Sequence, residues 1–488
     1  MATTYPYPNP NEPVTPVVVY DWSRFDQGQK HWPIPSYPLL VLFFILGVAS
    51  AYLVGRLGIT FAFILAALFM RPPFVRLLGK NLIDWCLVCI GTAMIGNFDA
   101  LVDLYGNDTF RPSWILLIVG AGLLLFNFQT LKFNLLSCAI VVGLFCFYQI
   151  STGFTGSGSL IRTLEINGSY MIAFLVFLVL LKKNSTRDVF IGQVCLVSCV
   201  NCGFCIFELI NPYAIDFSIS SSNIHGKVVR SAGIYANAIT SGLMASNVLL
   251  LATLASTKSK PSYLDRFNMC VLSAITAIGV VVTFSRSAGL AYFLAVMLVA
   301  FRLSGNRIGN LLWYIPISFL ITIAAFFGTG EYLSSTGDLS PDAKTRYDNI
   351  KEVALGDLSG ITRALDSRRS VADGTRRYWS RPTATGEGFN SVQARGLKPP
   401  HNMVYLLLTE CGYLGLIGYC LLLLFLAGPG LWNWNARNLY LFVAIAAPVL
   451  LITIESHSFF TRRYFAIYTV LMAYTTRIIM REAPDKNR

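Results

Sequence analysis

Apolar runs of membrane-spanning length recur from Tyr37 almost to the C-terminus, and this leaves few folds open. A helix needs about 20 apolar residues to cross the hydrocarbon core, and inside lipid every backbone polar group must find its partner within the chain. The reading is an all-α protein: a polytopic transmembrane helical bundle of about 12–14 spans with one long periplasmic loop subdomain. A soluble chain of 488 residues would need more than 13% charged residues to cover its surface.

The apolar segments run approximately Tyr37–Gly55, Leu57–Met70, Leu82–Phe98, Pro112–Phe128, Phe133–Ile150, Gly168–Leu181, Val189–Ile210, Tyr235–Ala255, Met269–Phe284, Ser287–Phe301, Leu311–Phe327, Met403–Ala427, Leu439–Ile454 and Arg463–Ile479. The formal net charge of +13 resembles a nucleic-acid signal only until the charges are placed. Arg71, Arg76, Lys80, Lys132, Lys182, Lys183, Arg187, Lys258, Lys260, Arg266, Arg302, Arg307, Arg437 and Arg481 all fall on one side of this set, which assigns that side to the cytoplasm. The chain then divides into a cytoplasmic tail (1–36), a transmembrane region (37–327), a periplasmic loop (328–402), C-terminal transmembrane helices (403–480) and a second cytoplasmic tail (481–488). The first 36 residues are polar and Pro-rich without a short apolar core, so the first span is expected to be retained.

The 11 cysteines lie in or beside apolar stretches. Cys195, Cys199, Cys202 and Cys205 have helical spacing but no histidine nearby, which reads as small polarizable packing rather than a metal site. No metal and no cofactor are expected.

Positive charge on the outer face needs a reason, because topology depletes it there. Arg286 interrupts an otherwise apolar run from Met269 to Phe301, too long for one helix, so a hairpin should turn at Ser285–Arg286. A guanidinium held there either snorkels to lipid headgroups or clamps an anion. Arg230, in Arg-Ser-Ala-Gly-Ile-Tyr-Ala-Asn, precedes the span beginning near Tyr235, where free helix N–H groups would help bind phosphate; a plain loop arginine is the alternative. Asn402 is a natural N-cap for the apolar helix after it, which puts His401 at the positive end of a helix dipole and favours a neutral imidazole able to accept a proton. Glu410, two turns into that helix, should sit in the membrane or at a packed interface with a hydrogen-bonding partner. His225 and His457 remain open as substrate contacts on the same face. The stretch from Arg363 to Arg381 carries six arginines and reads equally as a phosphate-binding or a solvated loop.

Together these segments resemble the O-antigen ligase and O-antigen polymerase superfamily: Arg230-Ser-Ala-Gly-Ile-Tyr, Phe284-Ser-Arg-Ser-Ala-Gly, Gly386-Glu-Gly-Phe-Asn-Ser, His401-Asn-Met-Val-Tyr-Leu and Glu410-Cys-Gly-Tyr-Leu-Gly. The resemblance covers Arg230 to Gly418 and implies a metal-independent, inverting glycosyltransferase of the bacterial inner membrane, multi-pass, with its active site facing the periplasm. It implies an undecaprenyl-pyrophosphate-linked glycan as donor and a lipid A–core sugar hydroxyl as acceptor, with membrane lipids as surroundings and no nucleic acid. By matching position, His401 would activate the acceptor, Arg230 and Arg286 would bind the pyrophosphate, and Glu410 and Asn402 would support them. An O-antigen or exopolysaccharide polymerase, or a protein O-oligosaccharyltransferase, is the alternative within the superfamily. A lipid-linked glycan flippase is the alternative outside it. The long external loop and the count above twelve spans depart from the usual ligase pattern.

Overall fold

The computed structural model describes residues 32–54, 71–96, 112–126, 172–181, 184–210, short pieces between 223 and 235, 238–256, 261–303, single residues between 316 and 335, 341–354, 357, 359, 383–388, 391–394 and 403–421. Apart from a two-rung antiparallel ladder, every regular element among them is helical. In chain order these are α1 (Tyr37–Val54), α2 (Pro72–Lys80), α3 (Leu82–Ile95), α4 (Pro112–Phe126), α5 (172–180), α6 (Asn184–Ile210), β1 (Asn223–Ile224) and β2 (Lys227–Val228). A 3₁₀ turn (Gly233–Tyr235) leads into α7 (Ala238–Ala255), followed by α8 (Tyr263–Val282), α9 (Arg286–Leu303), α10 (Pro341–Ala354), α11 (Ser391–Ala394), α12 (Met403–Glu410) and α13 (Gly412–Leu421).

Three of these helices, α6, α7 and α8, are long and apolar enough to cross a membrane. The first two are apolar almost all round and are buried over nearly their whole length, as a helix with no polar face must be. Glycines bring their backbones close. A Cβ at Gly203 of α6 would strike the Phe44 carbonyl of α1, and one at Gly279 of α8 would strike Cys202 of α6. The four cysteines of α6 are fully buried, and Cys202 packs against Gly279 of α8. Outside it, large apolar side chains are exposed on α1 (Val41, Leu42, Ile45), α4 (Ile118, Leu125) and α8 (Tyr263, Leu264, Phe267). Such surface marks contact with membrane or protein rather than water.

Local caps set several helix starts. Asn81 accepts from the Asp84 amide to open α3, and Ser262 and Asp265 form a reciprocal capping box for α8. Within the long segment 328–402, helix α10 forms over Pro341–Ala354.

Contacts sort the helix ends into two groups. At one end the Tyr37 amide donates to Asn268 Oδ1 (2.8 Å), with the Tyr37 and Phe267 rings edge to face. There too the Arg71 guanidinium donates to the Val189 carbonyl (2.7 Å), lying over Gly192. Burial pulls that guanidinium down to about 10, still charged at neutral pH. At the other end, Ile95, Glu208, Ser231, Gly233, Tyr235 and Val282 meet. Helices α3, α6 and α8 therefore run from the first end to the second, and α7 and α9 return. Arg71, Arg76, Lys80, Arg187 and Arg266 gather at the first end and Arg286 opens α9 at the second, matching the side-by-side assignment from the basic loops.

One expectation changes. Met403–Ala427 was read as one span, yet the helix breaks at Cys411, because Gly412 takes φ +65° and closes α12 before α13 begins. The spans expected at Leu57–Met70, Phe133–Ile150, Leu439–Ile454 and Arg463–Ile479 lie outside the described residues.

Candidate functional site

The second helix end carries two of the segments that sequence reasoning singled out, the turn after Ser231 and the Phe284–Arg286 hairpin. The 3₁₀ turn after Ser231 has no repeating hydrogen-bond ladder of its own, so its donors are taken up by side chains of neighbouring helices. Gly233 adopts φ +58°, and its amide donates to Glu208 Oε2 (2.8 Å). The Ile234 amide donates to Asn201 Oδ1 (3.1 Å), which also accepts from the Ser241 hydroxyl (3.2 Å), while Asn201 Nδ2 donates to the Ser241 carbonyl (3.4 Å). The Tyr235 hydroxyl reaches across to the Ile95 carbonyl (2.7 Å). A side chain at Gly233 would strike Asn201, Ser241 and Cys205, so the turn fits only as glycine.

This pinned turn lies against the hairpin between α8 and α9. The Ser231 amide donates to the carbonyl of Val282, the last residue of α8 (3.2 Å). The hairpin turns at the position the interrupted apolar run predicted. Phe284 is buried at φ +47°, a left-handed conformation that costs a non-glycine residue about 1–2 kcal/mol and holds only where surroundings enforce it. Ser285 then caps α9, its hydroxyl accepting from the Ala288 amide (3.4 Å), and Arg286 is the first residue of the helix. The free N–H groups of that first turn favour an anion. From α7, Ser246 donates to the Ala288 carbonyl (3.2 Å), and Gly242 lets Ala288 and Thr283 approach.

A third assembly surrounds Glu410. The segment from Thr383 to Gly388 runs as a strap along the break between α12 and α13 and satisfies the backbone groups that the break frees. The Glu387 and Gly388 amides donate to the Thr409 and Glu410 carbonyls (2.9 Å each), and the Tyr413 and Leu414 amides donate to the Thr383 and Ala384 carbonyls (3.2 and 3.0 Å). Gly386 (φ +72°) and Gly388 (φ +100°) give the strap its path. Glu410 is buried at 5% exposure, but it is the last residue of a short helix rather than the middle of a long one. Irregular backbone of this kind is tolerated at membrane depth only where protein encloses it or a cavity borders it.

Of the other expected site residues, Arg230, His401 and Asn402 lie outside the described residues, as do His225, His457 and the Arg363–Arg381 stretch, and Arg286 is described in its backbone alone. Among the described residues no group of three or more His, Cys, Asp or Glu could hold a metal ion. Asn201, Glu208, Glu387 and the glycine pair Gly386 and Gly412 were not assigned roles from sequence. Glycines breaking an apolar helical pattern at Cys411-Gly412 were the available signal for the last of these.

No protein-family model matches the chain, and neither a curated protein nor a solved structure is similar to it.

Proposed function

We propose that the protein is a polytopic inner-membrane glycosyltransferase that moves a glycan from undecaprenyl pyrophosphate to a sugar hydroxyl of lipid A–core at the periplasmic face. The observation that carries this reading is the bond from the Ser231 amide to the Val282 carbonyl. It ties the chain immediately after Arg230 to the hairpin that opens on Arg286, two arginine-bearing segments far apart in sequence. A lipid diphosphate needs two such cations, since the leaving group gains charge as the anomeric bond breaks.

In the proposed reaction His401 takes the proton of the acceptor hydroxyl. The acceptor oxygen bonds to the anomeric carbon from the face opposite the diphosphate, the bond to the diphosphate oxygen breaks, and undecaprenyl pyrophosphate leaves with inverted configuration at the sugar. Arg230 and Arg286 hold the departing charge. Glu410 and the strap fix the helix that follows His401.

The test is the purified protein with an undecaprenyl-pyrophosphate-linked glycan and rough lipopolysaccharide in the presence of a chelator. Transfer to the lipopolysaccharide, lost in His401→Ala and reduced at least about tenfold in Arg286→Lys, is the expected result. Elongation of the lipid-linked chain instead identifies a polymerase, and movement of lipid-linked glycan across vesicles with His401→Ala fully active identifies a flippase.

A further inference from the structure

We infer that α2 is an interfacial helix that docks anionic phospholipid headgroups at the end of the bundle opposite the candidate site. This rests on the membrane-spanning reading of α6 and is independent of glycan transfer.

The sequence Pro-Pro-Phe-Val-Arg-Leu-Leu-Gly-Lys divides the short helix into three faces. Phe74 and Leu77 are buried, Phe74 stacking on Trp85 of α3 with ring centroids 5.2 Å apart. The Arg71 bond to Val189 fixes the start of α2 beside the start of α6. This anchoring leaves Val75 46% and Leu78 40% exposed at i, i+3 spacing, continued by Leu82 at 60% on the next helix. Arg76 and Lys80, one turn apart, are exposed on the remaining face, and the helix contains no acidic residue.

Position and chemistry select the occupant. Helix α2 ends two residues before α3 begins, at the helix end where Arg71, Arg187 and Arg266 also gather. A helix lying there presents an apolar strip to the edge of the acyl layer and two cations to headgroups. A water-facing helix would not leave Val75, Leu78 and Leu82 bare together. A protein groove would accept the apolar strip but gives no reason for an all-basic companion face.

The experiment uses the full chain purified in detergent and titrated with phosphatidylglycerol or phosphatidylcholine, retained lipid being counted by native mass spectrometry. The wild type should retain phosphatidylglycerol in preference, and Arg76→Gln with Lys80→Gln should weaken that retention by roughly tenfold to thirtyfold while leaving phosphatidylcholine unchanged. Arg76→Lys with Lys80→Arg should keep the preference, which separates lost charge from lost fold. Val75→Gln with Leu78→Gln should weaken both lipids alike. No headgroup preference in the wild type, or an unchanged preference in the Gln pair, overturns the assignment.

Discussion

Gly386 and Gly412 lie backbone against backbone, each at positive φ (+72° and +65°), and a Cβ on Gly386 would sit 2.5 Å from the Gly412 nitrogen. Neither clash is with a flexible side-chain tip, so the strap and the helix break cannot part without losing the four backbone bonds between them. Gly412→Ala should therefore combine left-handed strain of about 1–2 kcal/mol with a steric cost of similar size. The expected outcome is an unfolding temperature in detergent lowered by several degrees. Gly386→Ala should do the same, and the double variant should fall short of the sum, since both act on one contact.

Asn201 joins three elements through one amide. Its Oδ1 accepts from the Ile234 amide and the Ser241 hydroxyl and its Nδ2 donates to the Ser241 carbonyl. Asn201→Leu keeps the approximate volume and removes every bond, leaving buried donors that cost about 1–3 kcal/mol each when unsatisfied. Thermal unfolding should report the loss. Under the proposed function, the turn next to Arg230 also loosens, so transfer should decline through weaker donor binding more than through slower chemistry, read as a rise in KM for the lipid-linked glycan.

Tyr347 on α10 offers a pH signature away from the membrane helices. Burial, then its hydrogen bond to Glu331 (3.1 Å), pushes the phenol up to about 12. The folded state thus holds this proton more tightly than the unfolded chain, whose tyrosine titrates near 10. The resulting stabilisation is complete below about pH 10 and fades as pH rises toward 12. Phenolate absorbance of the wild type minus that of Tyr347→Phe should show a late-titrating tyrosine. Glu331 moves the other way: its hydrogen bonds to Lys351 and Tyr347 and the Lys351 charge hold it below the usual carboxylate range.

Among the described residues, α6, α7 and α8 were legible in the sequence because apolar length alone decides them. The Met269–Phe301 run gave the α8–α9 hairpin because it is too long for one helix and is interrupted only at Arg286, and the basic loops gave the common end of Arg71, Arg187 and Arg266. The break at Cys411 was signalled only by Gly412 itself, because apolar composition is the same on both sides of it and the strap that satisfies the freed backbone groups lies in another segment. Asn201 and Glu208 were hidden for a related reason. Within an apolar helix a polar residue shows that a partner exists but not which one, and their partners at Gly233, Ile234 and Ser241 lie 25 to 40 residues away.

Two glycines near Arg286 should respond to alanine in opposite directions. A Cβ at Gly242 of α7 would sit 2.5 Å from the Ala288 Cβ and 2.9 Å from Thr283 Oγ1, so Gly242→Ala must push α9 away from α7 and strain the Ser246 bond to the Ala288 carbonyl. Overpacking of this kind costs about 1–3 kcal/mol. Gly289, one turn into α9, has nothing within 4 Å of an added Cβ, and its amide already bonds to the Ser285 carbonyl in helical geometry. There alanine removes the entropy cost of a helical glycine and should stabilise by up to about 1 kcal/mol. Unfolding of the pair in detergent checks the sign directly. Gly242→Ala should also lower transfer by displacing the α9 N-terminus, whereas Gly289→Ala should leave it near the wild-type rate. Equal responses from the two variants would mean that the α7–α9 seam is softer than its close contacts require.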